Sequence, residues 1–184
     1  MLKIPSPYLA NCPERDTYIF SKMVSAYGNL DGARILDMGC GTAPLAKLCF
    51  MYGKDVRYMG YDTHPGVVDS IMERHYPSGF SISRGFPVGL EHKFDIAISI
   101  GIPSLASGGD KIAEDHKKIS PKLVVLETGW VKDGNDPKEM FDIIRDDYMS
   151  RGEYRLQRSC SYRIRQKDFP VPSRVLLILQ REDA

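Results

Sequence analysis

The sequence predicts a doubly wound α/β domain: a mostly parallel seven-stranded sheet, one antiparallel strand near its edge, and helices on both faces. Three observations predict it. Strand-like and helix-like runs alternate along most of the chain. A short apolar strand, Arg34 to Met38, runs into glycines and straight into a helix. The last forty residues then read as two strands with little between them, which places an antiparallel pair at one edge. A chain of 184 residues suits one domain over 1–184, with residues 1–30 giving an N-terminal helix and a possible lid.

The elements follow in order. Pro13 to Tyr27 reads as a helix: Ile19, Phe20, Met23 and Val24 recur at helical spacing, and Gly28-Asn29 stops it. Arg34 to Met38 is the first strand and Pro44 to Tyr52 the next helix, with Thr42 expected to cap it. Val56 to Tyr61 is the second strand and Val67 to His75 the following helix. Phe80 to Ser83 is a short third strand, and Phe94 to Ile100 a strongly apolar fourth. Asp110 to Lys118 is a polar helix, Lys122 to Glu127 the fifth strand, and Pro137 to Ser150 a helix with apolar Met140, Phe141, Ile144 and Tyr148. Tyr154 to Ile164 and Arg174 to Arg181 close the chain, the second with a continuous apolar centre.

Composition sets bounds on function. Hydrophobic residues make 42% and charged residues 27%, the balance of an ordinary globular protein. No apolar run reaches membrane-span length, so no membrane partner is expected. The opening Met1-Leu2-Lys3-Ile4-Pro5 lacks a signal-peptide pattern, and a cytoplasmic location is the expectation. Cys12, Cys40, Cys49 and Cys160 match no metal or redox spacing; they read as free thiols, and no metal is expected. Charge is uneven: residues 1–149 carry 17 Lys+Arg against 20 Asp+Glu, whereas residues 150–184 carry 8 against 4. Arg151, Arg155, Arg158, Arg163, Arg165, Arg174 and Arg181 supply most of that excess. Arginine suits bidentate contact with phosphate or carboxylate. Charge on edge strands also guards against aggregation, and this second reading stays open.

The strongest local signal is Ile35-Leu36-Asp37-Met38-Gly39-Cys40-Gly41-Thr42-Ala43-Pro44. Gly39 and Gly41 remove side chains where a ligand approaches the backbone. Asp37 adds a carboxylate at the strand end, which opposes a pyrophosphate and suits a cationic ligand. Asp62 ends the second strand 21 residues after Gly41. There a carboxylate can accept hydrogen bonds from both hydroxyls of a ribose, or it can cap the helix that follows. A dinucleotide fingerprint would need glycine at Pro44, and a phosphate-binding P-loop would need Gly-Lys-Ser/Thr.

Together these segments resemble the class I, Rossmann-like, S-adenosylmethionine-dependent methyltransferases. In that family an acidic residue ends strand one before a Gly-x-Gly loop; a third glycine often stands where this chain has Ala43. The resemblance implies S-adenosylmethionine as cofactor, with Asp37, Gly39, Cys40 and Gly41 around it and Asp62 on the ribose. Thr63 and His64 would line the adenine side. The family's frequent aspartate after strand three is missing from Ser83-Arg84-Gly85-Phe86-Pro87, so Gly85 and Phe86 take the adenine through backbone groups and a ring, unless Phe86 is core. Ser99 and Ile100, running into Gly101, would line the methionine end. The loop after Ile100 lacks the Asp/Asn-Pro-Pro-aromatic motif of methyltransferases that act on DNA bases.

Methyl transfer asks mainly for alignment, plus removal of a proton from some acceptors. Glu127, ending strand five, and His64 are the candidate catalytic residues; His75, His92 and His116 read as structural or surface. Trp130 is either a pocket wall or core. With no separate substrate domain in view, the expected acceptor is an O or N atom of a small molecule. It would meet the N-terminal segment, including Tyr8 and Tyr18. An RNA-modifying methyltransferase using the arginine-rich strand pair is the alternative. A non-catalytic module that kept the cofactor fold is a third reading, and a dehydrogenase a fourth.

Overall fold

The computed structural model describes residues 12–53, 55–72, 78–83, 89, 93–101, 110–128, 137–150, 152–164 and 173–183. It contains α1 (Pro13–Tyr27), β1 (Arg34–Met38), α2 (Pro44–Tyr52), β2 (Arg57–Tyr61), α3 (Pro65–Met72) and β3 (Phe80–Ser83). These are followed by β4 (Ile96–Ile100), α4 (Asp110–Ile119), β5 (Leu123–Thr128), α5 (Pro137–Ser150), β6 (Tyr154–Arg163) and β7 (Ser173–Arg181).

The seven strands lie in the order β3-β2-β1-β4-β5-β7-β6. β1 to β5 pair in parallel, while β7 runs antiparallel to both β5 and β6. The order reverses between β1 and β4, which opens a crevice at the carboxyl ends of those two strands. The loops bearing Gly39 to Gly41 and Gly101 therefore meet there.

Side-chain alternation along the strands builds two cores. On one face Ile35, Ile98, Val125 and Ile178 pack beneath Ile19, Phe20 and Met23 of α1 and Leu45, Ala46 and Cys49 of α2. On the other, Leu36, Val124, Leu126, Leu177 and Leu179 meet Ile119 of α4 and Ile144 and Tyr148 of α5. All six residues of β5 are buried, as expected of a strand covered on both sides. No helix among the described residues is long and apolar enough to cross a membrane.

Two local expectations change. Thr42 does not cap α2: the cap position is Ala43, whose backbone is left-handed (φ 51°, ψ 51°) and which makes no side-chain cap bond. Strand four starts at Ile96 rather than Phe94. Asp95 is engaged instead in tying strand starts together, pairing with Arg34 at 2.9 Å and Lys122 at 3.4 Å.

Candidate functional site

The loop after β1 is clamped onto the end of β2. The Gly39 and Cys40 amides both donate to the Tyr61 carbonyl, at 2.7 and 3.0 Å. The next amide, Gly41, donates to Oδ2 of Asp62 at 3.0 Å. Gly39 and Gly41 hold φ of 73° and 54°, a left-handed pair that a side chain would strain. Three successive N–H groups of the loop are thus taken by β2, so they do not stand ready for a phosphate.

Asp62 is buried, and its second oxygen accepts the His64 amide at 2.8 Å. A carboxylate offers about four acceptor positions, so two backbone bonds leave room for further donors. Thr63 beside it is exposed and His64 half-buried. Gly85 and Phe86 lie outside the described residues, as do His75, His92, Trp130 and Tyr8.

Asp37 sits between β2 and β4, opposite Gly60 and Ile98. The Tyr58 hydroxyl donates to its Oδ2. Burial pushes the Asp37 carboxyl up to about 7, Tyr58 and Arg15 pull it back, and Asp16 and Asp62 push it further. Asp37 and Asp62 thus stand at the carboxyl ends of β1 and β2, with burial keeping Asp37 protonated up to about pH 7.

At the end of β4, Ser99 and Ile100 lead into Gly101, whose amide donates to the Glu127 carbonyl at 2.7 Å. The Ser99 hydroxyl is fully buried and lies 3.3 Å from Nε2 of His116, whose Nδ1 is 2.6 Å from the Tyr148 hydroxyl. Burial drives the His116 pKa down to about 3, so the ring is neutral. This chain ties α4 and α5 to the strand beneath the crevice.

Glu127 is also fully buried. Arg174 grips both its oxygens, with Nη2 to Oε2 at 2.6 Å, and the Tyr162 hydroxyl donates to Oε1 at 2.6 Å. The Arg174 and Arg15 guanidinium groups approach the space beside Gly101, 3.4 and 3.6 Å from where a Cβ would stand. Arg15, on α1, pairs with the buried Asp16 at 2.8 Å.

The crevice thus brings together Asp37, the Gly39 to Gly41 bend and Asp62 on one strand pair, and Ile100, Gly101 and Glu127 on the other. Sequence reasoning missed Tyr58, Arg15 and the pairing of Arg174. Tyr58 stands four residues before Asp62 and reads as an ordinary strand aromatic. Arg174 becomes a partner of Glu127 only through the β5–β7 register, in which Glu127 faces Leu176 and Arg174 lies diagonally across.

No protein-family model matches the chain, and no curated protein matches it. Solved structures do. A Pyrococcus horikoshii protein provisionally assigned as an RNA methyltransferase is 14% identical, with a TM-score of 0.72 over 97% of this chain and 91% of that one. An Aquifex aeolicus S-adenosylmethionine-dependent methyltransferase is 13% identical, with a TM-score of 0.64 over 94% and 95%. A chain from the complex of the Haloferax volcanii Trm112 methyltransferase activator with a protein provisionally assigned as a methyltransferase is 13% identical, with a TM-score of 0.67 over 91% and 90%.

Proposed function

We propose that this chain, which has the fold of S-adenosylmethionine-dependent methyltransferases, binds that cofactor and transfers its methyl group to an O or N acceptor. The observation that carries the reading is the bend of Gly39, Cys40 and Gly41, whose amides are all engaged by Tyr61 and Asp62. A pyrophosphate needs free N–H donors at such a bend. A cofactor with a cationic sulfonium and an amino group needs carboxylates and carbonyls, and these remain. A nicotinamide dinucleotide, which carries a pyrophosphate, is disfavoured by the same engaged amides.

In this reading Asp62 accepts the ribose hydroxyls, while Thr63 and His64 border the adenine. The bend from Gly39 to Gly41, with Asp37 behind it, and the Ser99 to Gly101 turn hold the methionine end. Gly85 and Phe86 are assigned to the adenine from the sequence alone. When bound, the cofactor supplies a methyl group on an electrophilic sulfonium. The chain's own contribution is then alignment and, where the acceptor carries a proton, a base. His64, half-buried at the rim, is the better placed of the two candidates. Glu127 would first have to release Arg174 and Tyr162, so its proposed part is to hold β5 and β7 in place under the acceptor.

The first reading of the acceptor is an O or N atom of a small molecule. RNA is a second reading, favoured by one observation: Arg155, Arg158 and Arg163 are exposed on β6. The neighbour from Pyrococcus horikoshii is provisionally assigned to RNA chemistry. The test is a thermal-shift comparison. S-Adenosylmethionine and S-adenosylhomocysteine should each raise the melting temperature, and NAD should not. A rise with NAD alone would replace the proposal with a dehydrogenase. Turnover is then sought with radiolabelled methyl donor against separate RNA and small-molecule pools; cofactor binding with no labelled product from either favours a non-catalytic module.

A further inference from the structure

We propose that the open edge of β6 is a track for single-stranded RNA that leads to the carboxyl edge of the sheet. This rests on the RNA reading above. The described arginines of the C-terminal region divide into two sets. Arg174 is buried on Glu127, and Arg181 is held by Asp183 and by the Ser120 carbonyl and hydroxyl at 2.7 and 3.1 Å. These two are structural. Arg155, Arg158 and Arg163 are exposed. The Arg155 guanidinium donates to the side-chain oxygen of neutral Gln180, at 3.3 Å. Arg158 and Arg163 have no acidic partner among the described residues.

β6 carries these three arginines and no acid in its ten residues, and it is the outermost strand. It runs in the same direction as β5, since both are antiparallel to β7. Arg163 therefore stands at the crevice edge of the sheet, and Arg155 at the opposite end. Glu153, Glu182 and Asp183 cluster at that opposite end, where the Glu182 amide bonds the Glu153 carbonyl. Around β6, then, the acidic groups lie at the end away from the crevice and the arginines run toward it. A bulge after Leu156 takes up one residue, so the outer arginines stand opposite Gln180 and Ser173, seven strand steps or about 23 Å apart. On the α1 side, Lys22 lies 5.2 Å from the ring of half-buried Tyr18, whose hydroxyl meets Cys160 of β6 at 3.4 Å.

Arg155 and Arg158, opposite Gln180 and Ile178, lie on the α1 face of β6, and Arg163, opposite Ser173, lies on the other. The guanidinium groups therefore flank the open edge of the strand, where a single phosphate backbone can reach all three. Most of these side chains would bind phosphates without reading sequence, and would position an acceptor base or ribose at the crevice.

The test is fluorescence anisotropy with a 20-nucleotide single-stranded RNA of mixed sequence, titrated at several salt concentrations. It compares wild type with Arg155→Ala/Arg158→Ala/Arg163→Ala. Calorimetry with S-adenosylmethionine on the same two samples reports folding and the cofactor reading separately. The track predicts at least a tenfold loss of RNA affinity in the triple variant, with cofactor affinity unchanged. It also predicts that the slope of log affinity against log salt shrinks by about 2, from three phosphates at about 0.7 each. Equal RNA binding by both proteins overturns the track, and so does no RNA binding by wild type that still binds the cofactor. Tighter binding to a polyglutamate peptide than to RNA overturns it in favour of an acidic protein partner. Self-association of the triple variant with unchanged RNA binding would mark the arginines as edge guards. Loss of cofactor binding in wild type would instead sink the methyltransferase reading.

Discussion

Glu127 of β5 and Arg174 of β7 form a bidentate ion pair with both side chains sealed from water. The pair is completed by the Tyr162 hydroxyl on β6, so three strands meet at one carboxylate. Removing one partner leaves a buried charge without its counter-ion. Glu127→Ala is therefore expected to destabilise the fold by about 3–5 kcal/mol. The double variant Glu127→Leu/Arg174→Met should recover much of that loss. Urea denaturation checks both. A single variant as stable as wild type would show that the pair is not closed in solution.

Ala43 holds a left-handed backbone at the start of α2. Relief of that conformation is worth about 1–2 kcal/mol, against about 0.5–1 kcal/mol for the extra freedom glycine brings to the unfolded chain. Ala43→Gly should therefore stabilise by roughly 0.5–1 kcal/mol, raising the melting temperature by about 2 °C. A fall in melting temperature would mean that the alanine methyl group contributes more through packing than its backbone costs.

These two sites also mark how far the sequence is legible. The alternation of elements, the seven strands and the glycine bend follow from periodicity and punctuation, and the strand order agrees with them. Thr42 reads as a cap because threonine caps helices in general; the left-handed turn at Ala43 displaces it, and no propensity encodes that turn. Glu127 reads as a pocket carboxylate because its strand end is local information. Its arginine lies 47 residues away and is found only through the register of β7. Tyr58 is hidden for the same reason, since its contact with Asp37 crosses from β2 to β1.

Asp37 and His116 act on stability in opposite directions with pH. The Asp37 carboxyl is raised from 3.8 to about 7 by burial, so the folded state holds a proton that the unfolded chain releases. Its contribution is full below about pH 4 and is lost as pH rises toward 7. His116 is lowered from 6.5 to about 3 by burial. Here the unfolded chain takes up the proton, so stability is lost as pH falls from 6.5 toward 3. Each effect is on the order of a few kcal/mol, and in wild type they oppose one another. Asp37→Asn should leave stability rising from pH 4 to 6.5, and His116→Gln should leave it falling from pH 4 to 7. Urea midpoints across that range test both; parallel profiles for the two variants would rule out this assignment.

Asp62, held by the Gly41 and His64 amides, is proposed to receive the ribose of an adenosyl cofactor. Isothermal calorimetry with S-adenosylmethionine on wild type and Asp62→Ala tests it most directly. Micromolar-range binding by wild type, weakened by about 1–3 kcal/mol in the variant, is the predicted result. Equal affinity in a folded variant, or no heat with either S-adenosylmethionine or its demethylated product, would contradict it.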